Sequence, residues 1–406
     1  MIKKFIVSLG LLFSLVSIAQ EGTSSPYSFY GIGDVKFKGT VETRSMGGVS
    51  VFSDSIHINL QNPALLSSLK LTTFSVGTST TNTKLNTETQ SEKARRTSLD
   101  YLAVGIPAGD FGFTFGLMPY SSVGYKILTV ANTTNPFSRQ YTGIGGINKV
   151  FLGAGYAINK NLSIGVDAQY NFGTIETRSI QFLSTIESGT MEENRSRIKG
   201  LNFTTGLAYE RKVNKKHTLF GTLVYAPEAT LKLKNERTIT VADQVDNQPV
   251  QNLDISLPSR ISLGAGFGEV RKWLVGAEVT LQSNSDLKNR FNDITGVVFE
   301  NSTKYSVGGY YTPNHRSFSS YFKRITYRGG LRYENTGMVI QNKAIEDVAL
   351  NLGLGLPLAG TFSNLNIGFE LGKRGTKYYN LIEENYINLS IGLSFSDKWF
   401  VKRKIN

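Results

Sequence analysis

The chain has 406 residues, of which 41 are glycine, 24 phenylalanine and 19 tyrosine while only 18% are charged, a balance that favours strands over helices. With 40% hydrophobic residues it is not a disordered chain, and the only apolar run near the roughly 20 residues of a membrane helix is at the extreme N-terminus. The absence of cysteine excludes disulfides, thiolate metal sites and a cysteine nucleophile, and the net charge of +13 is spread singly, outside one block at Lys402-Arg403-Lys404, which argues for a solvated surface and against nucleic acid as a partner.

Residues 1–19 read as an export signal. Lys3 and Lys4 form a basic start, Phe5 to Val16 an apolar stretch, and Ser17-Ile18-Ala19 a small-x-small cleavage site. Residues 20–70 show no alternation and are rich in Gly, Ser and Asp, as expected of a plug ahead of a barrel. From residue 71 to 406 the pattern has period two. Leu162, Ile164, Val166, Ala168, Tyr170 and Phe172 alternate with polar residues, as do Phe111, Phe113, Phe115 and Leu117, then Leu365 to Leu371, then Ile387 to Phe395. That period places the apolar set on one face of a strand.

About thirteen such segments have the 9 to 11 residues that a tilted strand needs to cross a bilayer. Their opposite faces carry Gly, Ser, Thr and Asn, which suits an enclosed lumen better than a water-facing sheet. We therefore expect an all-β, transmembrane antiparallel barrel of about 14 strands in the bacterial outer membrane, in contact with its lipid. The even count leaves one strand to find among Val123 to Ala131, Glu176 to Leu183 and Ala229 to Lys234. Short turns are expected near Asp110, Lys160 and Lys272, and long outer connections at Thr81–Thr97, Ala131–Asn148, Ile186–Arg197, Asn235–Asp254 and Gln282–Ser319. Tyr101, Tyr120, Tyr156, Tyr170, Tyr225, Trp273, Tyr333, Tyr386 and Trp399 are candidates for interfacial girdles. Pro107, Pro119, Pro227 and Pro357 could interrupt the wall, because proline removes a ladder donor.

Ahead of the first strand stand Met46-Gly47-Gly48, Asp54-Ser55 and Asn62-Pro63-Ala64 followed by Leu66 and Leu69. Over residues 44–70 this arrangement resembles the N-terminal hatch of the FadL/OmpP1/TodX family of outer-membrane transporters, which includes a PorV-like branch in type IX secretion. The resemblance implies a small hatch, marked here by Gly47, Gly48, Asp54, Asn62, Pro63 and Ala64, closing a fourteen-stranded barrel. One departure is Leu65, where the family usually has glycine. On physical grounds Asn62 suits a cap, Pro63 the first position of a short helix, and Ala64 to Leu69 its apolar face.

Catalytic patterns are missing. His57, His217 and His315 are far apart in sequence, no G-x-S-x-G elbow is present, and the GAGFG of Gly264, Gly266 and Gly268 lies inside an alternating strand, so no enzyme, metal or cofactor is expected. The polar constellation of interest is Arg324, Arg328, Arg332 and Glu334 on one strand parity, with Glu278 and Glu370 on the polar parity of their own strands. Arginine facing lipid costs about 2–4 kcal/mol near the midplane, so these should face the lumen. Two readings follow: a site for a carboxylate or anionic headgroup, or a lumen ion-pair ladder joined by Asp34 or Asp54. For the whole chain, two functions stand. One is passive transport of hydrophobic small molecules gated by the hatch. The other is a non-transporting scaffold or shuttle barrel that binds protein partners in an outer-membrane secretion or assembly complex.

Overall fold

The computed structural model describes residues 23–131, 136–183, 189–291, 296–358 and 361–399. The expected export signal and the basic C-terminal block lie outside the described residues.

Fourteen antiparallel strands close into a barrel. In chain order they are β1 (Thr72–Asn86), β2 (Ser91–Ala108), β3 (Phe111–Thr129), β4 (Phe137–Ala157), β5 (Leu162–Leu183) and β6 (Thr190–Lys212). Next come β7, in two stretches (His217–Ala226 and Ala229–Val241), and β8, in three (Gln244–Gln248, Leu253–Leu257 and Arg260–Glu269). The circuit ends with β9 (Trp273–Gln282), β10 (Ser302–Tyr311), β11 (Thr326–Ile340), β12 (Lys343–Pro357), β13 (Asn364–Arg374) and β14 (Glu383–Asp397). The seam pairs β14 with β1 from Glu383↔Asn86 to Asp397↔Thr72. Pairing the first strand with the last spares both of their edges exposure to hydrocarbon, where each unpaired peptide group would cost several kcal/mol. Alternation sets the faces: Phe111, Phe113, Phe115 and Leu117 point out, while Gly112 and Gly116 approach groups inside the barrel.

The strand missing from the sequence pattern is β10, inside the stretch Gln282–Ser319 assigned to an outer loop. Its outward residues Tyr305, Val307 and Tyr311 are interleaved with Ser306 and Gly308, and Gly309 breaks the apolar series. The three weaker candidates are parts of β3, β5 and β7. The remainder of Gln282–Ser319 divides between the two ends of the barrel, because β10 runs between them. Most other expected loops are strand. β4, β5 and β6 have 21, 22 and 23 residues, against 10 in β9 and β10. On β5 the outward apolar run Ile164–Phe172 covers about 20 Å of bilayer after tilt, so Gly173–Leu183 rises beyond the apolar band. There the outer face is charged, with Arg178 donating to Glu193 at 2.8 Å and Arg195 to Glu176 at 2.7 Å.

Three girdle candidates point inward instead. Tyr101 and Tyr120 are buried, and Tyr386 bonds to Asp347 at 2.8 Å. Pro227 and Pro258 break β7 and β8 side by side, between the paired positions Ala226↔Arg260 and Ala229↔Leu257. Pro119 sits at a bulge against β4, and Pro107 and Pro357 lie near strand ends.

One part of the wall is split. β2 and β3 pair only from Leu102↔Leu117 to Ala108↔Phe111 and part above that level. The freed edge of β3 is taken up by residues from the N-terminal segment: Asp34 and Val35 pair with Ser122 and Ser121, and the Lys36 N–H donates to Tyr120 O at 2.9 Å. Part of the bare edge of β3 is thereby satisfied from within the same chain.

Candidate functional site: the N-terminal segment and the wall that holds it

Residues 23–71 pack against the lumen face of the strands. The segment starts high, where Ser25 bonds Glu384 at 2.5 Å and the Thr23 carbonyl accepts from Arg96 at 3.4 Å, beside the outer end of β1. It descends through short helical turns at Pro26–Phe29, Val41–Arg44 and Pro63–Ser68, then enters β1 at the opposite end.

The last turn shows why its sequence is as it is. Asn62 is fully buried; its Oδ1 accepts from Ala64 N at 3.0 Å, and its Nδ2 donates to Leu207 O on β6 at 3.2 Å. Pro63 begins the turn with no donor to satisfy. Leu66 and Leu69 join Ile58, Tyr101, Met118 and Phe151 in a core cluster. Leu65, at the position usually glycine in the resembled family, packs with Ala64 and Ala208.

The wall answers this turn with a row of glycines. Gly112, Gly155, Gly165 and Gly206 are successive ladder partners across β3, β4, β5 and β6. A Cβ on them would collide with Leu66 O, Pro63 O, Pro63 C and Asn62 Oδ1 in turn. A second row on another arc, Gly266, Gly276, Gly308 and Gly330 on β8 to β11, is likewise paired in register. There Cβ atoms would meet Phe52 at the first two positions and the Met46 backbone at the last two. Met46 leads into Gly47 and Gly48, whose φ values of +69° and +92° turn the chain in the left-handed region. Gly48 N bonds Thr43 O at 2.9 Å there. Neither glycine row was legible beforehand, although all eight glycines fall on the polar parity of alternating strands.

The polar residues singled out above are distributed over three places. Among the described residues Glu278 meets no arginine: its Oε2 accepts from Ser50 N at 3.0 Å and Ser50 Oγ at 2.8 Å, fastening the segment to β9. Arg332 Nη2 reaches Glu370 at 3.0 Å, Asp347 at 3.2 Å and Tyr386 at 2.8 Å, with Glu334 4.0 Å from Nη1. Arg328 donates to Asn366 at 3.0 Å. Arg324 belongs to a short helical turn, Phe322–Arg324, rather than to a strand, and its guanidinium lies over Tyr321. Asp34 pairs with Arg374 at 2.8 Å, and Arg44 with Asp100 on β2 at 3.3 Å, across the split.

Asp54 caps Ile56 N at 2.9 Å and accepts from His57 Nδ1 at 2.8 Å; His57 Nε2 lies 3.6 Å from Glu42. Asp54 keeps 45% of its side chain exposed at the cavity, and its partial desolvation is outweighed by the facing imidazole and two backbone donors, which hold its pKa at about 2. Burial likewise favours neutral His57, and Asp54 and Glu42 outweigh it and push the histidine above its ordinary value. Below this pair opens a cavity of about 670 Å³, shared by the segment and the short-turn end of the wall.

Above the segment a second core forms from Ile32, Tyr120, Val123, Tyr125, Ile147, Ile175 and Ile198, with Leu231, Leu233, Ile255 and Leu257. The outer connection after β9 folds onto it. Arg290 is 1% exposed, donates to Phe29 O at 3.0 Å and bonds Gly31 O, while Gly31 N donates to Asn289 Oδ1 at 2.7 Å. Sequence periodicity could not find this arginine, because its partners are backbone carbonyls some 260 residues earlier in the chain.

Solved structures share this architecture at low identity. The Ralstonia pickettii toluene transporter TbuX superposes with a TM-score of 0.61 at 13% identity, covering 89% of this chain and 99% of that one. The Pseudomonas putida toluene transporter TodX gives 0.61 at 14%, covering 91% and 100%. A Pseudomonas aeruginosa FadL homologue gives 0.56 at 13%, covering 92% and 98%. At these identities the likeness is one of fold. No curated protein matches the chain. A family model described as BamG matches residues 1–406, and the chain belongs to the BamG family.

Proposed function

We propose that this BamG-family chain is a stoppered outer-membrane barrel that binds protein partners in an assembly or secretion complex. The observation that carries the reading is the double fastening of the N-terminal segment. Below, its backbone at Met46 and Pro63 lies against glycine rows on two arcs of the wall; above, Arg290 and Asn289 bind its backbone from the outer loop. Backbone lying directly on glycine leaves no clearance for a solute, and withdrawing it would uncover buried polar groups such as Glu278 at roughly 1–3 kcal/mol each. The cavity beside it combines apolar wall from Phe52, Ile56 and Leu358 with the charged groups of Glu42, Asp54, Arg324 and Arg328, a mixed lining that suits an amphipathic group better than an uncharged hydrocarbon. The tall outer wall of β4–β6 offers a partner a broad exposed face.

The second reading is gated passage of hydrophobic small molecules. The split between β2 and β3 favours it, as does the fold shared with the toluene transporters. Native mass spectrometry of the barrel extracted gently from its own membrane, with lipid analysis of the same sample, separates the two. Stoichiometric protein partners without a small ligand support the partner-binding reading. A lone barrel carrying a reproducible apolar ligand moves the assignment to transport. In the transport reading, deleting residues 44–70 raises permeability to hydrophobic solutes, and unchanged permeability counts against gating.

A further inference from the structure

We propose that the cavity at the short-turn end is a docking site for an acidic, partly apolar peptide segment of a periplasmic partner; this rests on the partner-binding reading. The cavity, about 670 Å³, is within the size range of pockets that enclose a ligand. Phe52, Ile56 and Leu358 supply apolar wall, and Arg271, Arg324 and Arg328 stand around it. Among the described residues none of these arginines forms an ion pair, and Arg324 Nε is buried without a hydrogen-bond partner. Of the two carboxylates at the same cavity, Asp54 is engaged by His57 and two backbone donors, and Glu42 meets His57, Asn366 and Ser394 through Oε1 while its Oε2 has no hydrogen-bond partner among the described residues. Three arginines against these two carboxylates leave the lining net positive. Arg271 holds φ at +64° in the turn after β8, a strained conformation for a non-glycine residue, and its N–H bonds the Tyr310 hydroxyl at 3.2 Å. That bond fixes the turn at the mouth of the cavity. Guanidinium groups bind carboxylates in a bidentate manner, and the apolar wall between them accommodates neighbouring side chains of an extended peptide. The strands separate this cavity from the bilayer, which favours a peptide arriving through the aqueous mouth over a lipid arriving from the side.

The test uses the full chain in detergent and a fluorescein-labelled hexapeptide of alternating Glu and Phe, read by anisotropy, with alternating Lys and Phe as the control. The expected result is saturable binding of the acidic peptide. Binding should weaken at least tenfold in Arg271→Glu/Arg324→Glu and be largely retained in Arg271→Lys/Arg324→Lys, with both variants keeping heat-modifiable gel mobility. Equal affinity for the two peptides, or no loss in the reversal variant, overturns the proposal. So does displacement of the peptide by phosphatidylglycerol vesicles at lower concentration than by unlabelled peptide, which would make an anionic lipid the occupant. Co-purification separates this site from the wider reading. Partners kept by the reversal variant overturn the docking site alone, and partners absent from the wild type overturn the partner-binding reading while the peptide assay still judges the cavity.

Discussion

At the short-turn half of the barrel, Met46 and Pro63 lie with their backbone against rows of glycine, and Ser50 is fastened to a buried glutamate. At the outer half, β5 and β6 stand clear of the apolar band with Arg178–Glu193 and Arg195–Glu176 pairs in water. The first region is specified by what cannot be added, since a side chain at any of the eight row glycines would strike the segment, through its backbone at Leu66, Pro63 and Met46 or through the side chains of Asn62 and Phe52. The second is specified loosely, by exposed ion pairs that contribute little. Close fit is thus concentrated where the segment is seated, and surface free to vary lies at the outer end.

The sharpest way to break this contrast is Gly165→Val or Gly308→Val. Each places side-chain atoms onto the backbone of Pro63 or Met46, an overpacking that costs about 1–3 kcal/mol or more. We expect loss of heat-modifiable folding, or proteolysis of residues 23–70 in what does fold, whereas Gly221→Ala, with open space around it, behaves as wild type. Next in size is Arg290→Met. It strands the carbonyls of Phe29 and Gly31, and losing charged hydrogen bonds of this type costs about 1.5–3 kcal/mol. Protease access to the outer loop should rise while the glycine-seated end stays protected.

Smaller again is the pH response of the seat. His57 is raised, so its contribution is complete below about pH 6.5 and is lost as pH rises through the raised value. Asp54, held at about 2, contributes above about pH 4 and loses that contribution as pH falls toward 2. Protection of residues 50–60 in hydrogen exchange should therefore be greatest between about pH 4 and 6.5 and decline on either side. Asp54→Asn should flatten both limbs, and a wild-type profile independent of pH would remove this pair from the fastening. The smallest effect belongs to the outer ladder: Arg195→Ala should leave the melting temperature unchanged, and a large drop there would erase the distinction between the two halves.

Strand existence was legible wherever lipid lies on one side, because hydrocarbon demands apolar residues at every second position. It faded where that demand stops. Beyond Phe172 the outer face of β5 carries Glu176 and Arg178 while the inner face carries Ile175, so the usual sense of the alternation reverses and Glu176–Leu183 reads only as a weak strand candidate, detached from the strand it continues. β10 vanished because Gly309 occupies one of its outward positions. Parity placed Arg328 and Arg332 in the lumen but could not say what each would meet, Asn366 for Arg328 and Asp347, Glu370 and Tyr386 for Arg332, since these come from strands whose register is fixed only on closure. Position near a strand end made Tyr101, Tyr120 and Tyr386 girdle candidates, yet all three point inside. The Asn62-Pro63-Ala64 turn was readable as a capped turn, yet its seat, four glycines on four strands, becomes visible only when those strands are laid side by side.

The position of Thr23 beside the outer end of β1 has a consequence for biogenesis. A segment that touches the wall through main chain at two arcs cannot be pulled lengthwise through a finished cylinder, because Phe52, Leu66 and Leu69 would have to pass rows that admit no side chain. In the intact chain the wall is therefore expected to close around a segment already in place, and the seam between β14 and β1 is the join that brings the two ends of the wall together.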